Sequence, residues 1–419
     1  MNKQAWNDRW KDYRQRAKKV LTQNAWLAKY IPLSLIVGIL VGALCTLFGR
    51  VLILISDFRA AHYLFLLPFL PLAGLLIVWM YRQFSPLSQK GMTLVFEVGQ
   101  KKRDSIPLPL IPLVILSTWI THLFGGSAGR EGVAVQLGAT LSNGVGRLFR
   151  IKENRPIMLV IGMAAGFAGL FQTPLTAVFF AMEVLMVGYL EYGALFPAMI
   201  AAFTSAFTSH LLGLEKSTVS ISDSLNLTDF RMIGLLIVLG IAFGFAGRLF
   251  SFLLGKAKKI MGDKIKNPYI RIGAVSVVLA ACLILLHGGR YSGLGTNLIT
   301  ASFNGATVYP YDWILKIIFT VVTLAIGFQG GEVTPLFSIG ASLGILLGSL
   351  FGLPLVVCAA LGYAAVFGSA TNTLLAPIMI GLEVFGGSNA VAFVVVCVIA
   401  YLVNGNKSIY GAQGTITCQ

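Results

Sequence analysis

Two short stretches of this 419-residue chain hold the residues best able to do chemistry. "GGSAGREGVAVQLGAT" (125–140) sets Arg130 beside Glu131 among glycines. "FQGGEVTP" (328–335) sets Glu332, Val333 and Thr334 between a glycine pair and Pro335. Each precedes a long apolar run and so reads as the start of a helix. A helix N-terminus offers unpaired N–H groups and about half a positive charge, which together attract anions. Glycines at 129, 132, 330 and 331 let the main chain approach an ion closely. Pro335 suits a first helical turn, where its missing N–H costs nothing. The two segments describe an anion site between two helix N-termini.

Glu131 then acquires a specific meaning. Its carboxylate is itself an anion and can occupy the place a free anion would take. Protonated, it loses that attraction and swings away, so one side chain could exchange an anion for a proton. The plainer reading is a helix-start glutamate satisfying local amides, but acids inside a membrane are as a rule functional. Glu332, inside the second glycine break, is the next candidate. Glu183 and Glu383 sit near helix ends, where capping or interhelical contact is as good a reading as transport. Glu97 follows a polar break and can face water. Arg130 reads as structure or local charge balance.

Composition supplies the setting for these residues. The chain is 56% hydrophobic and 11% charged, against roughly 25% charged in soluble domains. Apolar runs recur at 26–56, 63–81, 106–124, 133–149, 157–190, 194–213, 232–255, 272–287, 313–328, 333–368 and 373–404. A spanning helix needs about 20 such residues, so the expected class is an all-α polytopic membrane protein. The +16 net charge is concentrated in connectors: residues 1–19, "FRIKENR" (149–155) and "GKAKKIMGDKIKNPYIR" (255–271). That distribution argues against nucleic-acid binding. By the positive-inside rule it puts the N-terminus and the 255–271 linker in the cytoplasm. Residues 1–24 lack the apolar core of a signal peptide. Trp6, Trp10, Tyr13, Ala17 and Val20 share one helical face there, which suits a helix in the cytoplasmic interface.

An internal repeat orders the rest. "LGATLSNGVGRLF" (137–149) aligns without gaps on "IGASLGILLGSLF" (339–351), "GFAGLF" (166–171) on "GYAAVF" (362–367), and "MEVL" (182–185) on "LEVF" (382–385). Extended backwards, the first alignment sets Arg130 against Glu332 and Glu131 against Val333. Many transporters are built from such repeats, often inverted, with the site where broken helices of both halves meet. The expected organisation is an interfacial helix over 1–24, transmembrane repeats over 25–213 and 214–415 forming one domain, and a tail at 416–419.

Other chemistries find little support. Cys45, Cys282, Cys358, Cys397 and Cys418 are odd in number and mostly lie in apolar runs, so they read as small core residues. The four histidines show no metal-ligand spacing, and no cofactor is implied. There is no Walker loop, no G-x-S-x-G and no H-E-x-x-H. A membrane enzyme would need a nucleophile–base pair; Ser127 lies near Glu131, but the nearby histidine, His122, stands in apolar sequence.

The residues above resemble motifs of the CLC family of chloride channels and anion/proton antiporters. "GREGV" resembles G-[KR]-E-G-P, "GEVTP" resembles G-x-F-x-P, "GMTLV" (91–95) falls where the family has G-S-G-I-P, and "KSIYGAQ" (407–413) resembles the segment with the anion-binding tyrosine. The resemblance covers residues 20–415, with no cytoplasmic nucleotide-binding domain after it. Val133 replaces the motif proline, Met92 a serine and Val333 a phenylalanine. With Thr334, these changes look like the fluoride/proton antiporter branch. The resemblance implies a CLC-type bundle of tilted and broken helices in two inverted repeats, with Glu131 as gating glutamate. It also implies an anion path along the amides of Glu332 and Val333 and the Tyr410 hydroxyl, beside Met92, Phe96 and Thr334, with Gly129, Arg130 and Gly132 among the anion-binding residues. A homodimer exporting fluoride from a bacterial-type cell membrane in exchange for protons follows from the same likeness. A Cl⁻/H⁺ exchanger or a passive anion channel of the same fold is the alternative. The family's inner proton-carrying glutamate aligns with Val184, one residue after Glu183, which leaves Glu332 as the candidate second proton-handling acid.

Overall fold

Apolar periodicity broken by glycine, proline and left-handed residues yields helices of very unequal length. The computed structural model describes residues 29–151, 155–215, 218–221, 223–225 and 228–415. The expected helix over 1–24 and tail at 416–419 lie outside the described residues. The first half runs through α1 (Tyr30–Ala61), α2 (Tyr63–Leu66), α3 (Leu70–Phe84), α4 (Met92–Gly99), α5 (Leu110–Leu123), α6 (Glu131–Leu148), α7 (Arg155–Phe171), α8 (Pro174–Glu183) and α9 (Leu195–Leu211). The second runs through α10 (Phe230–Lys264), α11 (Pro268–Leu285), α12 (Thr296–Phe303), α13 (Asp312–Ile326), α14 (Val333–Phe351), α15 (Leu355–Thr371), α16 (Leu375–Phe385) and α17 (Ala390–Asn404).

Six helical segments among the described residues are long and apolar enough to cross a membrane. At 32 and 35 residues, α1 and α10 reach about 48 and 52 Å. Both exceed a hydrocarbon core of about 30 Å, an excess that tilt accommodates. At 8, 10, 8 and 11 residues, α4, α8, α12 and α16 reach only about 12–17 Å. Helices this short cannot span the core, so their orphan end groups must be satisfied within the protein.

The apolar runs 157–190, 333–368 and 373–404 each divide into two helices. Gln172 and Asn372, 200 positions apart, both take φ +56° and end α7 and α15. Pro174 then opens α8 at its first turn. Gly352 (φ +66°) and Gly386 (φ +85°) end α14 and α16, glycine being the residue that adopts this conformation without strain. Hydropathy alone does not register these turns, because the residues on both sides are equally apolar.

The two halves carry the same series, α5–α8 and α13–α16, and pack alike. A Cβ on Gly138 or Gly166 of the first half would collide with the carbonyl of Gly162 or Ala134, and one on Gly340 or Gly344 of the second with that of Gly362 or Cys358. Small residues thus bring α6 onto α7 and α14 onto α15 at backbone contact, a common device where lipid removes the hydrophobic drive for association. The halves also exchange caps. Glu183 on α8 accepts from the N–H groups of Leu374 (3.1 Å), Leu375 (3.1 Å) and Ala376 (2.8 Å) at the start of α16. Glu383 on α16 accepts from Leu175 N–H (3.0 Å), Thr176 N–H (2.7 Å) and Thr176 Oγ1 (2.6 Å) at the start of α8. The exchange is reciprocal, each acid satisfying the orphan N–H groups that open the other's helix.

Candidate anion and proton site

The two glycine breaks meet face to face. Gly129 N–H donates to Gly331 O at 2.5 Å and Gly331 N–H to Gly129 O at 2.7 Å, an isolated antiparallel bridge between the halves. A Cβ on Gly129 would lie 2.8 Å from Pro335 Cδ, and one on Gly331 would lie 2.9 Å from the Gly132 nitrogen. No larger residue fits either position without separating the strands. The bridge holds the starts of α6 and α14 side by side, as the aligned positions Glu131 and Val333 require.

Glu131 is the first residue of α6, yet its main contacts lie on α14. Oε2 accepts from Thr334 N–H at 3.0 Å and Thr334 Oγ1 at 2.5 Å. The local contribution is one longer bond, from Arg130 N–H at 3.3 Å. The carboxylate is 0% exposed, and charge-assisted bonds at a helix N-terminus are what make its burial tolerable. Arg130 Nε lies 3.6 Å from Oε1, but neither atom makes a hydrogen bond. Arg130 therefore balances the charge of Glu131 and leaves Oε1 unbonded. Among the described residues no hydrogen bond joins Glu131 to the amides of Glu332 or Val333; the amide that serves is Thr334's.

Beside these two helix starts is a cavity of about 660 Å³ lined by Met92, Phe96, Gln136, Glu332 and Tyr410, with Lys90, Lys258 and Arg271 also in its walls. Four of the sequence-derived residues therefore share one space. Gly91, with φ +52°, caps α4 and turns Met92 into the wall. Tyr410 is 5% exposed, its hydroxyl is unpartnered, and its ring lies 5.3 Å from that of Phe96. Glu332 is the N-cap of α14 and makes no side-chain cap bond there. Its Oε2 instead lies 3.5 Å from where a Cβ on Gly132 of α6 would stand. Glu131, Val333 and Thr334 are buried outside the cavity walls. The arrangement is a buried carboxylate lodged on the N-terminus of the opposite helix, with a second acid in the adjoining chamber.

The remaining acids have structural work. Glu183 and Glu383 cap helices, as above, and Val184 is fully buried. Glu97 pairs with Lys90 and Arg103, each at 2.9 Å. Hydrogen bonds from Lys90 and then Arg103 hold its carboxyl below the usual range.

Two groups escaped sequence reading. Lys316 on α13 is 0% exposed and donates to Ser127 Oγ (2.9 Å), Gly293 O (2.8 Å) and Tyr291 O (3.2 Å). A lone lysine in "DWILKIIFTVV" was the available signal. Ser127 also bonds Thr320 Oγ1 at 2.9 Å. A serine beside a lysine can act as a nucleophile in a cleft, but both side chains are sealed from solvent. His122 is bonded to the carbonyls of Thr118 (2.8 Å) and Ala128 (3.0 Å), not to Ser127. The second missed group, Gln136, is one of two amide side chains in 131–148, with Asn143, and no motif marks it. Among the described residues no set of three His, Cys, Asp or Glu could hold a metal ion, and Cys45, Cys282, Cys358 and Cys397 are free thiols.

Comparison with known proteins agrees with this geometry. The family model described as voltage gated chloride channel matches residues 73–405. A "Chloride/fluoride channel protein" of Pseudomonas syringae pv. tomato is 35% identical over 395 residues, covering 93% of this chain and 87% of the relative. A crystal structure of a CLC-type fluoride/proton antiporter is 51% identical, with a TM-score of 0.92 over 93% of this chain and 98% of the other. A slow cyanobacterial Cl⁻/H⁺ antiporter, 20% identical, shares the fold at a TM-score of 0.77 over 91% of this chain and 96% of its own. Paired glycine breaks, a carboxylate lodged on a helix N-terminus and these likenesses lead to one conclusion: the chain is a multi-pass membrane protein of the voltage-gated chloride channel, or CLC, family.

Proposed function

We propose that the protein is a secondary active antiporter that exports fluoride in exchange for protons. The observation that carries this is the Glu131 carboxylate bonded to the amide and hydroxyl of Thr334 at the start of α14. A group held this way competes with a free halide for the same donors. Protonation removes its charge, weakens both bonds and frees the seat. Glu131 carries H⁺ when neutral and displaces F⁻ when charged. Glu332, in the cavity wall, takes up the proton on the inner side in place of the acid that Val184 lacks.

Gly255, Lys258 and Arg271 line the cavity and belong to the basic 255–271 segment. The positive-inside rule therefore supports a cytoplasmic mouth, with the N-terminus on that side. Fluoride enters past Met92, Phe96 and Tyr410, and the gate at Gly129, Arg130, Gly132, Val333 and Thr334 passes it outward. Fluoride is small and tightly hydrated, so its release from water demands close N–H and O–H donors. Thr334 supplies one of each, and the Met92 thioether supplies none. The 51% identity to a fluoride/proton antiporter supports fluoride over chloride. The repeats over 25–213 and 214–415, assembly as a homodimer with lipid around it, and residence in a bacterial inner membrane complete the proposal.

A passive anion channel is the second reading, favoured by the name of the Pseudomonas relative. Purified protein in liposomes with a fluoride gradient, read by fluoride and pH electrodes together, separates the two. The antiporter moves protons against fluoride. Fluoride flux without proton movement identifies a channel, and a larger chloride response overturns the fluoride assignment.

A further inference from the structure

Gln136 follows Glu131 by five residues on α6, about 7.5 Å further along the helix axis. It is 6% exposed and lines the cavity with Met92, Glu332 and Tyr410. Its Oε1 has no partner. The Thr140 hydroxyl bonds the main-chain carbonyl of Gln136 at 2.7 Å and not its side chain. The side chain thus holds nothing together, although buried amides are as a rule bonded.

Three other polar side chains in the wall are already engaged. Ser251 Oγ donates to Gly247 O (3.0 Å) and Ala370 O (3.1 Å), Lys90 binds Glu97 at 2.9 Å, and Arg271 Nε binds Ile326 O at 3.3 Å. Among the described residues this leaves two buried side chains with unspent polar atoms facing the chamber, Tyr410 and Gln136. A Cβ on Gly91 would lie 3.1 Å from Gln136 Oε1, so the carboxamide rests against the start of α4, next to Met92. A half-turn of a carboxamide exchanges its oxygen for an NH₂ bearing two donors, and here the turn breaks no bond.

Resting on the fluoride reading above, we infer that Gln136 is a fluoride ligand and a determinant of selectivity. Its N–H groups supply, beside Met92, the donor that the thioether withholds. The ion leaves the Tyr410 hydroxyl and the carboxamide for the Thr334 seat once Glu131 is protonated.

The test compares wild type with Gln136→Leu and Gln136→Glu, each checked for an unchanged gel-filtration profile. Fluoride and chloride efflux from liposomes are measured over a range of anion concentrations. Leucine matches the volume without a donor, and glutamate matches the shape but carries no N–H. The expected result is an apparent fluoride affinity lowered about tenfold in the leucine variant and further in the glutamate variant, with chloride efflux within about twofold of wild type in the former. Fluoride affinity within twofold of wild type in Gln136→Leu overturns the assignment. So does a parallel loss of fluoride and chloride, or a glutamate variant milder than the leucine one, since both mark a role in shape. A wild-type protein that moves no fluoride overturns the fluoride reading itself, and Gln136 with it.

Discussion

Glu131 and Thr334 stand 203 residues apart and share two hydrogen bonds, at 3.0 and 2.5 Å. The acid belongs to α6 and its donors to α14, so the start of one helix is capped by the other half of the molecule. The same crossing recurs in Glu183 of α8, which caps α16, and Glu383 of α16, which caps α8. In those pairs the carboxylate is locked by three donors each. Glu131 keeps one oxygen unbonded, which suits the displaceable role proposed for it.

Replacing Glu131 with glutamine removes the titrating charge and keeps the shape. The expected outcome is fluoride movement without proton movement, read with both electrodes on the same liposomes. Normal pH changes on fluoride addition by that variant would contradict the gating role.

Thr334→Val deletes the shorter bond and leaves the amide. A hydrogen bond to a charged group contributes roughly 1.5–3 kcal/mol, so fluoride affinity should fall about tenfold or more. Thr334→Ser should keep most of it. Titration calorimetry on purified protein is the check, and equal affinities for the two variants would remove Thr334 from the seat.

Glu332→Gln should stop proton flux while fluoride still crosses, because the change lies in the chamber and spares the Thr334 donors. Proton and fluoride fluxes measured together decide it. Retention of coupled exchange would return the second proton step to another group.

Glu183→Ala and Glu383→Ala each orphan N–H groups at a buried helix start. Each should lower stability by roughly 2–3 kcal/mol, seen as a lower melting temperature in detergent. The fluoride-to-chloride ratio should not move. A changed ratio would show that these acids do more than cap.

Glu97 titrates below the usual carboxylate range because Lys90 and Arg103 bond its charged form. That contribution to stability is present above the ordinary carboxylate pKa and is lost as pH falls through the lowered value. Glu97→Gln should therefore melt below wild type at neutral pH, with the gap closing on acidification. Thermal melts across a pH series test the sign.

Much of this was legible in the chain. The breaks at "SAGREGV" and "FQGGEVTP" declare themselves through glycine, charge and a following apolar run, all local features. The repeat is legible because both halves make like close contacts through Gly138 and Gly166 and their matched residues Gly340 and Gly362. Helix ends at Gln172 and Asn372 were not legible, since neither residue type announces a left-handed turn when apolar sequence continues past it. Glu183 and Glu383 could not be sorted from transport acids until their donors were seen on the opposite half.

Composition and pattern alone thus settle a helical membrane protein, two polar breaks and an acid in one of them, because these depend on neighbours within a turn or two. They are silent on which helix end receives the Glu131 carboxylate, on the chamber shared by Met92, Glu332 and Tyr410, and on the idle carboxamide of Gln136. Those relations join residues far apart in the chain, and only packing, through glycine contacts and exchanged caps, brings them within hydrogen-bonding distance.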